Sequence, residues 1–267
     1  MYYWRTLLIA LGVGLAAAPC AAQKIPITDE DMARIGQLIF ANECGGEVEK
    51  LVWWNEGEEF PSLGIGHFIW YPKGVVGPFD ESFPKLLRYL KGKGKALPAW
   101  LATLPGFDAP WNSRKEFSQD ARSERVAQLR QFLVDTMPLQ TQFIIDRFYR
   151  VLPGIMKAAD PGRQAHIRQQ FYRVAYTRMG LYPLVDYVNF KGEGVLESER
   201  YKGEGWGLLQ VLEEMQGTAR GPAALREFAE AAEVVLRRRV ANAPPGRNEG
   251  RWMSGWMSRL GTYYTPE

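Results

Sequence analysis

The chain has 267 residues, a formal charge of +3, 46% hydrophobic residues and 24% charged residues. That length buries a full core and fits one large domain or two small ones, with the balance of a soluble globular protein. So mild a basicity suits an anionic polymer such as cell wall, and nothing like a nucleic-acid-binding patch is visible in the sequence.

Residues 1–22 read as a secretory signal peptide. Arg5 supplies the positive start, and residues 6–18 form an apolar run too short to span a bilayer. Cleavage is expected after Ala22, with the small residues Cys20 and Ala22 before the cut. Pro19 makes a lipoprotein reading of Cys20 the weaker one. The expectation is a periplasmic or secreted protein with no integral membrane segment once the leader is removed. Cys44 would then be the only cysteine, leaving no intramolecular disulfide.

The mature part, residues 23–267, is expected to form a single domain. Thr28 with Asp31 three residues on makes a capping-box-like helix start. Met32, Ile35, Leu38 and Ile39 then mark one apolar face, and Gly45-Gly46 should stop the helix near Glu43. Residues 48–71 interleave Val, Trp, Phe and Ile with turn formers and read as a small β-hairpin region. A short helix is expected over 81–90, a flexible turn over 92–95 and a loop over 105–112. Helical periodicity follows at about 114–136, 138–158, 162–179, 204–216, 221–242 and 247–262. Pro138, Pro153, Pro161, Pro183, Gly203 and Pro244-Pro245 punctuate these segments. The expected class is α+β, helix-dominated, with one small sheet near the N-terminus.

The chemistry concentrates where helix meets hairpin. Glycoside hydrolysis needs a carboxylic acid to protonate the leaving oxygen and a second carboxylate to activate water or attack the sugar. The acid keeps its proton best in a low-dielectric setting. Glu43, at the end of an apolar helix, and the acidic run Glu56, Glu58 and Glu59 supply such carboxylates. Charge runs are usually exposed turns, so at most one of these three is expected to act. No metal-ligand cluster, phosphate loop or dinucleotide fingerprint is visible, and no cofactor is expected.

The run Trp54-Asn55-Glu56-Gly57-Glu58-Glu59-Phe60-Pro61-Ser62-Leu63-Gly64-Ile65-Gly66-His67 resembles the active-site hairpin of the phage-type lysozymes. That family reads aromatic, any residue, Asp, a short polar turn, then Thr-Ile-Gly-(Tyr or Ile)-Gly-His. The resemblance covers residues 43–68 and implies a lysozyme-like fold acting on peptidoglycan or a related β-1,4-linked amino-sugar polymer. It puts Glu43 in the position of the acid, Glu56 in that of the Asp and Ser62 in that of the Thr, with His67 as structural support. Glu and Ser keep a carboxylate and a hydroxyl able to position water, but both depart from the family's residues. Glu43 lies 13 residues before Glu56, a wider spacing than the family's, and Glu47 fits that spacing better. Water held opposite the acid would give inversion and carboxyls about 6.5–9.5 Å apart.

Trp53, Trp54, Phe60, Phe68, Trp70 and Tyr71 cluster around the hairpin. Most should be core, with Trp70 and Tyr71 as candidate sugar-stacking rings. Gly205-Trp206-Gly207-Leu208-Leu209-Gln210 is similar to the Gly-Leu-Met-Gln segment of lytic transglycosylases and goose-type lysozymes. That likeness implies a cleft-lining Gln210 and keeps Glu197 as a rival acid, although an ordinary helix start explains the same residues. His166 carries no signal, and Arg237-Arg238-Arg239 complement a helix C-terminus. Two other functions compete: a Cys44–His67 wall peptidase, disfavoured because Cys44 falls at a helix C-terminus, and a non-catalytic glycan-binding protein.

Overall fold

The computed structural model describes residues 25–264, so the signal-peptide reading of residues 1–22, with Cys20, lies outside the described residues. Helix α1 (Asp29–Cys44) begins where the Thr28 hydroxyl accepts the Asp31 N–H at 3.0 Å. It ends where Gly45 turns left-handed at φ 62° and donates its N–H to the Phe40 carbonyl. This stop leaves Asn42, Glu43 and Cys44 in its last turn, with Glu43 and Cys44 meeting the hairpin region.

That region is a three-stranded antiparallel sheet in the order β1 (Val52–Trp53), β2 (Ser62–Leu63) and β3 (Phe68–Ile69). Val52 pairs with Leu63, and Leu63 with Phe68; Trp53 pairs with Ser62, and Ser62 with Ile69. Side chains alternate across a strand, so the register sorts them onto two faces. Val52, Leu63 and Phe68 point into the core, all at most 3% exposed. Trp53, Ser62 and Ile69 share the opposite face.

The rest is largely helical: α2 (Phe83–Gly92), α3 (Ala99–Ala102), α4 (Arg114–Asp120), α5 (Glu124–Asp135), α6 (Met137–Phe148), α7 (Val151–Ala158), α8 (Gln164–Ala175) and α9 (Leu181–Lys191). A two-stranded hairpin, β4 (Arg200–Tyr201) and β5 (Glu204–Gly205), precedes α10 (Leu208–Glu214), α11 (Pro222–Asn242) and α12 (Met253–Gly261). The helix-dominated α+β class is therefore observed, and the details differ from the sequence expectation in ways the residues explain. The 114–136 segment divides because the Ser123 hydroxyl accepts the Val126 N–H and starts a new helix. The 138–158 segment divides at Arg150, one turn before Pro153, whose missing N–H is harmless only in a first helical turn. Instead of one sheet there are two. The second hairpin turns through Lys202 and Gly203, at φ 52° and 83°, the pattern of a type I′ turn.

Apolar residues from Ile25 to Tyr263 form one contiguous buried cluster. α1 packs chiefly on α6, while α9 packs on α6, α8 and α10, and α12 on α11. Full burial of each large side chain contributes on the order of 1.5–3 kcal/mol. This core fixes the ends of α1, α9 and α12 beside one another. No helix among the described residues is long and apolar enough to cross a membrane.

Candidate active site

Glu43 is the best-held carboxylate at the junction of helix and hairpin. Its side chain is 12% exposed, and its Oε1 accepts from Arg259 Nη2 at 2.6 Å and from Asn189 Nδ2 at 3.0 Å. Its Oε2 lies 3.3 Å from His67 Nδ1. The low-dielectric, apolar setting expected for this residue is thus not what surrounds it: three polar side chains do.

Arg259, on α12, is itself anchored from behind. Its Nε and Nη2 each donate at 2.8 Å to the two oxygens of Asp186, which is fully buried on α9. Asn42 and the Tyr263 hydroxyl also donate to Asp186, at 3.3 and 2.6 Å. Burial alone would lower the Arg259 pKa, but Asp186 and Glu43 together hold it well above its ordinary value. Burial and the Asp186 charge likewise push the Tyr263 hydroxyl up, so it stays protonated and donates. The guanidinium also covers the Phe190 ring, 4.2 Å from its centroid.

His67 reaches Glu43 because of the turn before it. Gly64 sits at φ 69°, and a Cβ there would lie 2.4 Å from Gln140 Oε1, so only glycine fits. That same Oε1 accepts the Ile65 N–H at 3.0 Å, while Gln140 Nε2 donates to Leu133 O and Thr136 Oγ1, tying the loop to α6. The His67 N–H closes the turn on Gly64 O, with His67 at φ 47°. Burial lowers the His67 pKa, partly offset by Glu43 and Glu58.

The hairpin carboxylates divide. Glu56 is exposed at the tip of a turn in which the Glu58 N–H bonds Asn55 O and Gly57 takes φ 85°. Glu58 is less exposed, accepts from Asn55 Nδ2 at 3.1 Å, and is close enough to His67 to act on its titration. Ser62 is 3% exposed on the sheet face it shares with Trp53. The rival acids are solvated: Glu47 is 58% exposed and pairs with Lys50, and Glu197 is 95% exposed.

Cys44 is buried, with Sγ facing the Lys50 and Gly64 carbonyls. Burial, then the Glu43 charge, push its pKa up to about 12. His67 Nδ1 faces Glu43 rather than this thiol, so the residues of the Cys–His reading do not form a nucleophile–base pair.

Three expected sugar contacts need correction. Trp70 is fully buried, donates to Phe107 O at 2.7 Å and packs against Phe83 and Trp111. Tyr71 is 4% exposed; its ring meets Phe60 edge-on and its hydroxyl accepts the Phe79 N–H. Both are core, because β3 turns inward against α2. Gln210 caps its own helix and is buried: its Oε1 accepts the Gly207 N–H and its Nε2 donates to Gly194 O. Among the described residues the exposed rings are Trp53 beside Ser62, Phe79, Trp252 next to Trp256, and, away from the hairpin, Tyr176 and Tyr264.

Sequence reasoning missed Asp186, Asn189, Lys191 and Arg259. The first three ride on α9, which falls between the segments of expected helical periodicity at 162–179 and 204–216. Lys191 Nζ lies 3.9 Å from the Phe190 ring centroid and 3.5 Å from that of Trp256. Burial, with Arg239 and Arg259 nearby, lowers its pKa to about 6. Among the described residues no group of His, Cys, Asp and Glu is arranged to hold a metal ion. No family model, no curated protein and no solved structure matches the chain.

Proposed function

We propose that the chain is an exported glycoside hydrolase of muramidase type on a lysozyme-like scaffold. Its substrate in this reading is peptidoglycan or a related β-1,4-linked amino-sugar polymer. The observation that supports it is the Glu43 carboxylate, fixed at the end of α1 by Arg259 and Asn189 and faced by His67 from the glycine turn. In this reading Glu43 protonates the glycosidic oxygen. Two donors occupy its Oε1, so Oε2, beside His67, is the oxygen that carries the proton to the leaving group.

Glu58, rather than Glu56, is proposed as the second carboxylate, because Glu58 is the less exposed of the two and its charge acts on His67, while Glu56 is exposed at the turn. Ser62 would help orient the attacking water, and Trp53, exposed on the same sheet face, would stack a sugar ring. Activation of water by Glu58 opposite Glu43 gives inversion at the anomeric carbon.

One observation favours a second reading, a non-catalytic glycan-binding protein. The hydrogen-bonded network around Glu43 contains no hairpin carboxylate among the described residues. Incubation with purified peptidoglycan and mass analysis of the soluble products separates the two. New reducing-end muropeptides support hydrolysis; binding without products supports the second reading. Loss of products in Glu58→Gln but not in Glu56→Gln supports the revised hairpin assignment, and the reverse result returns it to Glu56.

A further inference from the structure

Behind the Glu43 network lies a cavity of about 850 Å³, walled by α8, the loop into α9, the start of α11 and the end of α12. Among the described residues its lining contains no Asp or Glu. Three exposed arginines stand at its edge: Arg178, Arg220 and Arg226. None of them forms an ion pair with a carboxylate among the described residues, although Arg226 covers the Tyr264 ring.

A further source of positive potential points the same way. Gly221, the N-cap, and Pro222, the first residue of the 21-residue helix α11, line the cavity. That helix has no side-chain cap and no acidic residue in its first turn, so the positive end of its dipole is uncompensated. Arg173, by contrast, is spent within the protein on Glu227 and Gly217 O.

The remaining wall suits a sugar ring. Tyr172 and Tyr176 lie nearly parallel, 5.4 Å apart at 17°, and Tyr176 is exposed. Gln169 and Thr218 add amide and hydroxyl groups at the surface, matching ring hydroxyls that an aromatic acid would lack. The floor is formed by Tyr182 and Tyr263, the latter bonded to Asp186.

From these features we infer that the cavity is a binding site for an acidic sugar. Its carboxylate is held by Arg178, Arg220, Arg226 and the start of α11, and its ring lies against Tyr172 and Tyr176. The site is separate from Glu43 and stands whether or not Glu43 catalyses.

Calorimetric titration of the full chain with N-acetylmuramic acid, and with N-acetylglucosamine as its carboxylate-free counterpart, tests this. Saturable binding of the acid is expected, at least tenfold tighter than of the neutral sugar. The surface variant R178A/R220A/R226A should lose it, and Glu43→Gln should retain it. Inorganic phosphate alone should compete weakly, since it brings charge without a ring. No saturable binding of the acid, equal binding of both sugars, or undiminished binding in a folded triple variant would overturn the inference. Loss of binding in Glu43→Gln would place the acid in the hairpin site instead and overturn it equally.

Discussion

Arg259 binds Glu43 and Asp186 with the same nitrogen: Nη2 lies 2.6 Å from Glu43 Oε1 and 2.8 Å from Asp186 Oδ1. The side chains are buried to different depths, Asp186 at 0% exposed and Glu43 at 12%. Removing one partner of a buried pair strands the other charge in a poorly solvated place, which typically costs about 3–5 kcal/mol. Arg259→Met should therefore lose about that much in urea or guanidinium unfolding. Glu43→Gln should lose much less, because Arg259 keeps both bonds to Asp186. Equal stability of Arg259→Met and the wild type would contradict the ion-pair account.

Lys191 gives the stability a pH dependence of definite sign. Its pKa, 10.5 in a solvated chain, falls to about 6 between Phe190 and Trp256. Between those values the unfolded chain binds the proton and the native one does not, so this group makes stability rise with pH across that window. Below about pH 6 both states are protonated and the penalty is constant. Lys191→Met should flatten the rise, and the variant should gain most over the wild type near pH 6. Denaturation midpoints of the two proteins between about pH 6 and pH 10 measure it. Identical pH slopes would mean that Lys191 stays charged in the fold.

Cys44 should be chemically silent. With its pKa pushed up to about 12 and its Sγ enclosed by two carbonyls, almost no thiolate exists at neutral pH. Iodoacetamide should leave the native chain unmodified and label it only after unfolding, as read by intact mass. Cys44→Ala should leave any activity on peptidoglycan intact. Rapid native labelling with loss of turnover would revive the Cys–His chemistry.

The parts that were legible in the sequence are those set by local rules. The Thr28 cap and the Gly45 stop bracket α1 within a residue or two, and glycine spacing marks the turn that delivers His67. What stayed hidden depends on tertiary packing. Pro183 read as a helix breaker, yet it sits third in α9, where its missing N–H costs no helical bond. Taken as punctuation between periodic segments, it leaves unmarked the helix that carries Asp186, Asn189 and Lys191. Arg259 gave no signal because its partners lie far away in the chain. Trp70 and Tyr71 were ambiguous for a similar reason: aromatic composition does not reveal which side of a strand a helix will cover.

The most direct test of the proposed chemistry is a paired assay of wild type and Glu43→Gln on purified peptidoglycan, scoring released reducing ends beside sedimented, wall-bound protein. Loss of a general acid typically costs about 10²–10⁴-fold in rate. The account predicts that Glu43→Gln falls by that order while still binding the wall and keeping a cooperative unfolding transition. Undiminished release of reducing ends by the folded Glu43→Gln protein would contradict it.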